Sequence, residues 1–149
     1  MIHIMCGLPG SGKTSYSKQL ALKYNAILYC YDVFPRQNCR EDVHKKIYQE
    51  ITKTLYDNKN VIYDDLNLSK INRLALMDAI SKIDCKKILH VMSTPKNICL
   101  ERMRSRDKYY IPKTVIDYYY EKYEPPTPDE GWDEIIYHEY IEEVMPHDN

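Results

Sequence analysis

Gly7-Leu8-Pro9-Gly10-Ser11-Gly12-Lys13-Thr14 is the stretch on which the reading of this chain turns. It fits G-x-x-x-x-G-K-[ST], a loop whose backbone N–H groups cradle phosphates. Three of the chain's four glycines lie within these eight residues. Glycine permits positive φ and close approach of backbone to an anion. The loop opens a helix, whose N-terminus adds partial positive charge at the same place. Leu8, Pro9, Gly10, Ser11, Gly12, Lys13, Thr14 and Ser15 are therefore the expected nucleotide contacts. The Lys13 ammonium would reach the β and γ phosphates, and the Thr14 hydroxyl would hold Mg²⁺.

The flanks supply the context this motif requires. Ile2 to Cys6 is a short apolar strand, and Ser15 to Tyr24 has helical spacing of Tyr16, Leu20 and Ala21. Further strands are expected at Ala26 to Tyr31, Val61 to Tyr63, Lys87 to Met92 and Glu134 to Tyr140. Helices are expected at Asp42 to Asp57, from an N-cap at Ser69 to Ile83, and from Thr94-Pro95 to about Arg104. A last one opens at Pro112 and runs to about Tyr123. Pro125 to Pro128 reads as a stiff linker. Strands alternating with helices imply an α/β three-layer sandwich, a mostly parallel sheet of about five strands with helices on both faces. One domain is expected over 1–141, with 142–149 a frayed acidic tail.

Composition narrows the setting. Five cysteines form no C-x-x-C pair and read as buried or free thiols in a reducing compartment. The phosphate loop begins where a secretory apolar core would have to be, and no apolar run is long enough to span a bilayer. A cytoplasmic enzyme is the expectation. The net charge of −1 conceals an asymmetry: from Glu121 onward ten acids face one lysine, −9, which leaves +8 for residues 1–120. A basic body suits a polyanionic partner; a solvated acidic C-terminal face is the plainer reading.

Ligands of such sheets bind beyond the carboxyl ends of the strands. Asp32 ends the second strand, where a carboxylate could accept a hydroxyl proton. Asp64 and Asp65 follow the third, either of them suited to Mg²⁺, with Asn67 next to the turn. Arg102, Arg104 and Arg106 close the fourth helix, an Arg-rich lid that could cover the phosphates and stabilise a transferring phosphoryl group. Arg102 is assigned to nucleotide binding and Arg106 to catalysis beside Lys13 and Asp32. Arg36 and Arg40 could hold an acceptor phosphate, Phe34 could stack a base, and Arg73 is a weaker substrate candidate. Asn67 is grouped with these substrate residues. His3, His44, His90 and His138 lack metal-ligand spacing.

Four segments then resemble the polynucleotide 5′-hydroxyl kinases among P-loop kinases. They are Gly7 to Thr14, Val61-Ile62-Tyr63-Asp64-Asp65-Leu66-Asn67-Leu68, Glu101 to Arg106, and Ile111-Pro112. The stretch Glu124 to Ile135 resembles the approach to that family's last strand. The resemblance implies a P-loop NTPase kinase-like fold, ATP and Mg²⁺, Lys13 and Thr14 on phosphates and metal, Asp32 as general base, Asp65 in an Asp-x-Asn turn as the metal-side acid, and Arg106 in the lid. It implies a nucleic acid 5′ end, single-stranded or nicked, as partner. Phage members place an acceptor-binding arginine three residues after the base; here Pro35 stands there and Arg36 follows. A kinase for a small hydroxyl metabolite or nucleoside, and a nucleotide-binding regulatory or toxin-like module, are the alternatives.

Overall fold

The computed structural model describes residues 1–31, 40–105 and 111–142, with the side chains of 40–42 outside the description. Its strands are β1 (Ile2–Cys6), β2 (Ile27–Cys30), β3 (Val61–Asp64), β4 (Lys87–Ser93) and β5 (Glu134–Glu139). Its helices are α1 (Lys13–Lys23), α2 (Arg40–Tyr56), α3 (Lys70–Ala79), α4 (Lys96–Arg104) and α5 (Lys113–Lys122). The strands form one sheet in the order β2-β3-β1-β4-β5. Every pairing is parallel, as in Ile4 opposite Tyr63 and Leu89, and Cys30 opposite Asp64. The chain leaves β1 toward β2 on one side and reaches β4 on the other, so the carboxyl end of β1 is the point where strand order reverses. A crevice opens at such a point, and Gly7 to Gly12 fills it.

Strand alternation sorts the two faces. Ile2, Ile4 and Cys6 of β1, Val61 and Tyr63 of β3, and Leu89 and Val91 of β4 share one core with Val43, Ile47, Ile51 and Leu55 of α2, Leu76 and Met77 of α3, and Ile80 just after it. The opposite face carries Met5 and Ile62 under Leu20 of α1. The same face carries His3 and His90. His3 Nδ1 lies 2.8 Å from His90 Nε2, and His90 Nδ1 lies 2.9 Å from His138 Nε2. The three imidazoles form a hydrogen-bonded row across β1, β4 and β5, flanked by the rings of Tyr24 and Tyr16.

Several boundaries move for local reasons. The first helix begins at Lys13 because Gly12, at φ 97°, turns the loop directly into it. Ser69 caps α3 by accepting from the Asn72 N–H. Thr94 does not cap α4: Pro95 takes that position, and the Thr94 hydroxyl donates to the Ser11 carbonyl at 2.8 Å. The expected linker, Pro125 to Pro128, runs into a 3-10 turn, Pro128–Glu130, closed by a capping box between Thr127 and Glu130. No helix among the described residues is long and apolar enough to cross a membrane.

Candidate active site

The phosphate loop packs closely on α4. Gly10 sits at φ 82°, and a Cβ there would lie 2.9 Å from the Cys99 carbonyl oxygen. The loop is tied both internally and from outside. The Gly7 N–H donates to Leu66 O, the Ser11 N–H to Leu8 O, and Arg102 Nη1 to Gly10 O at 3.0 Å. The Ser11 hydroxyl is buried and has no protein partner. Lys13 is buried, and its ammonium donates to Leu8 O at 2.7 Å. Burial pulls its pKa down, while the charges of Asp64 and Asp65 act the other way. A glycine cradle, an unpartnered buried hydroxyl and a desolvated ammonium are together a donor set suited to nucleotide phosphates.

The carboxylate that meets Thr14 is Asp64, in place of the expected Asp65. Thr14 Oγ1 donates to Asp64 Oδ2 at 2.8 Å, and the Cys30 thiol approaches the same oxygen at 3.8 Å. Strand alternation explains the exchange. Asp64 shares the α1 face with Ile62, whereas Tyr63 faces α2, and Asp65 turns toward Tyr63 once the strand has ended. Asp65 Oδ2 accepts from the Tyr63 hydroxyl and from His44 Nε2, both at 2.8 Å, and Oδ1 accepts from the Leu66 N–H at 2.7 Å. The two neighbours differ electrostatically as well. Burial pushes the Asp64 carboxyl up, against the Thr14 bond and the Lys13 charge. Burial also acts on Asp65, but the bonds from His44, Leu66 and Tyr63 outweigh it and hold that carboxyl below the usual range. The hydroxyl and carboxylate of Thr14 and Asp64, hard oxygen donors beside the phosphate cradle, suit Mg²⁺.

Two substrate candidates prove structural. Arg73 is fully buried and makes a two-point pair with Glu130, Nε to Oε1 at 2.7 Å and Nη2 to Oε2 at 3.2 Å. Its Nη1 donates to the Asn67 and Leu68 carbonyls. Arg73 lies on the apolar stripe of α3, in line with Leu76, Met77 and the C-cap Ile80, and is enclosed by protein. Asn67, at φ 47°, anchors the turn after β3 by donating to the Met5 carbonyl at 2.9 Å. Asp32, Phe34, Arg36 and Arg106, and the Arg40 side chain, lie outside the described residues. Arg102 stands beside the loop, its guanidinium 5.7 Å from the Tyr140 ring centroid. Three contributors were not expected in these roles. They are Thr94 under the loop, Tyr140 beside Arg102, and His44 on Asp65.

A parallel sheet with a phosphate loop at its reversal point, and a buried strand-end aspartate on the loop's threonine, define a nucleotide-binding P-loop protein of kinase-like fold. A model of the AAA domain family matches residues 2–126. The chain belongs to that family. It is 28% identical to the L-seryl-tRNA(Sec) kinase of Methanococcus maripaludis, an alignment covering 97% of this chain; the chain spans 65% of the length of that relative. The fold matches Chaetomium thermophilum Kti12 in complex with ADP-AlF3, at TM-score 0.74 and 20% identity, over 94% of this chain and 89% of that one. It also matches a fungal RNA kinase, at TM-score 0.69 and 18% identity, over 91% and 72%.

Proposed function

We propose that this chain transfers the γ-phosphate of ATP to a hydroxyl carried by RNA or DNA, with a 5′-hydroxyl end as the acceptor. The observation that carries the reading is the Thr14–Asp64 contact beside Lys13 at the point where strand order reverses. It is the constellation phosphoryl transfer needs on the nucleotide side, where catalysis is mostly positioning and charge neutralisation. Likeness along nearly the whole chain to a kinase named for a tRNA substrate supports an RNA-borne acceptor.

In this reading the bond from the γ-phosphorus to the β,γ-bridging oxygen breaks. A bond from that phosphorus to the acceptor oxygen forms, and ADP leaves. Lys13 and the loop N–H groups hold the phosphates, Thr14 and Asp64 hold the metal side, and Asp32 receives the acceptor proton. Arg102 and Arg106 stabilise charge on the moving group. Mg²⁺, when bound, neutralises charge on the phosphate oxygens. Asp32 is proposed for the proton because it follows β2, the strand beside β3, by two residues in sequence.

The test is transfer from γ-labelled ATP to 5′-hydroxyl RNA and DNA oligonucleotides, run beside nucleosides and sugars. Labelled oligonucleotide, lost with Asp32→Asn while ATP affinity persists, is the expected outcome. Label on a small hydroxyl compound with none on oligonucleotides would move the acceptor to that class. ATP binding with no transfer to any hydroxyl would leave a nucleotide-binding module.

A further inference from the structure

One cluster beside the phosphate loop is unused by the chemistry above: the residues gathered around Asp65. Its carboxylate is surrounded by protein donors. The Leu66 N–H takes Oδ1, and the Tyr63 hydroxyl and His44 Nε2 converge on Oδ2. An ionised carboxylate only accepts, so His44 Nε2 carries the proton and the tautomer is fixed. The His44 ring then stacks on Tyr31, centroids 4.8 Å apart with planes 19° from parallel. It also meets Tyr48, which packs edge-on against Tyr63. Asp65, His44, Tyr48 and Tyr63 thus close a ring of contacts between the end of β3 and the first turns of α2, with Tyr31 docked on its outer side.

The position of this ring gives it meaning. Tyr31 is the residue after β2, and His44 is the fifth residue of α2. The imidazole therefore joins the element entering residues 32–39 to the element leaving them. Asp65 in turn is bonded along the chain to Asp64, which holds Thr14. We infer that His44 is a positioning residue for the acceptor: by bonding Asp65 and stacking on Tyr31, it fixes β2 and α2 against the carboxyl edge of β3. The inference rests on the phosphotransferase reading above, in which Asp32, two residues past β2 in sequence, receives the acceptor proton. His44 also borders a groove of about 1120 Å³ between α2 and α3, lined by Tyr48, Thr52, Tyr56, Asn72 and Ala75 among others. It stands at the end of that groove nearer the catalytic edge.

The nucleotide side has its own anchors, Leu8 O for Lys13 and Asp64 for Thr14, so the cluster should divide acceptor use from nucleotide use. The experiment compares His44→Ala, which removes bond and stack, with His44→Phe, which keeps the stack and removes the bond. ATP affinity is read by calorimetry, and kcat and KM for a 5′-hydroxyl RNA oligonucleotide by labelled transfer. ATP affinity is expected to stay within about twofold in both variants. The acceptor kcat/KM should fall at least tenfold in His44→Ala, carried mainly by KM, and less in His44→Phe. Unchanged acceptor kinetics in both variants overturn the inference while leaving the phosphotransferase reading intact. A parallel loss of ATP affinity also overturns it, because His44 then merely supports the fold. A wild-type protein that transfers to no hydroxyl overturns both.

Discussion

The row of His3, His90 and His138 should make this fold acid-labile in a way that substitution can isolate. Burial is the leading cause that lowers the pKa of His3, from 6.5 to about 4, and of His90, from 6.5 to about 3. Both rings are almost wholly buried. The native state therefore keeps them neutral at pH values where an unfolded chain would protonate them. A folded pKa below the unfolded one means the unfolded state binds more protons as pH falls. The contribution to stability is thus full above pH 6.5 and is lost as pH drops toward 4. Between pH 7 and pH 5 each imidazole removes about 2 kcal/mol, or about 4 kcal/mol for the two, from the marginal total of a small domain. The perturbation is the double variant His3→Phe/His90→Phe, which keeps rings against Tyr24 and Tyr16 and deletes the titrating nitrogens. Urea unfolding followed by far-UV circular dichroism at pH 7, 6 and 5 gives the stabilities. The double variant should lose about 4 kcal/mol less than the wild type over that range, whatever its stability at pH 7. Parallel pH profiles would refute the reasoning, because every other titrating group is common to both proteins.

Two further outcomes follow from the site. Arg73→Ala strands the buried Glu130 carboxylate and should cost about 3–5 kcal/mol in urea unfolding, with nucleotide affinity in the folded protein unchanged; a weakened acceptor KM at full stability would return Arg73 to substrate binding. Asp64→Asn should lower Mg²⁺-dependent transfer by one to two orders of magnitude, the scale of about 1.5–3 kcal/mol for a charged hydrogen-bond partner. Calorimetry with ADP in the absence of Mg²⁺ should show little change in that variant.

Much of the architecture was legible because it is written in local patterns. The glycine-rich loop between an apolar strand and an amphipathic helix fixed the start, and the strand–helix alternation implied the parallel sheet. Parts of the site were legible but misread. Arg73 precedes Leu76, Met77 and Ile80 at offsets of three, four and seven, which places it on the buried stripe of α3. A charge there demands a partner, and the pattern alone argued against substrate. The partner itself was hidden, because Glu130 lies 57 residues away in a proline-rich stretch with no periodicity. The imidazole row was hidden for the same kind of reason. His3, His90 and His138 meet only through the register of three strands, and no one-dimensional spacing encodes that register.

The choice between Asp64 and Asp65 is the sharpest case, and it bears on how the two halves of the site communicate. A side-chain period of two sends Asp64 to the face of Ile62 and α1, where Thr14 waits, and leaves Asp65 on the side of Tyr63 and α2. One peptide unit thus separates a carboxylate in the nucleotide layer from one in the layer that holds His44 and Tyr31. Their pKa values are moved in opposite directions, Asp64 up and Asp65 down, because only Asp65 has enough donors to offset its burial. Asp64 is therefore the carboxyl whose ionised form gains most from a cation at Thr14. Asp65 already has its carboxylate oxygens satisfied by protein donors and has less to gain. The proposed reading, with the metal side at Asp64 and the acceptor-side frame at Asp65, draws on that difference, and a motif that spells both positions with the same letter cannot express it.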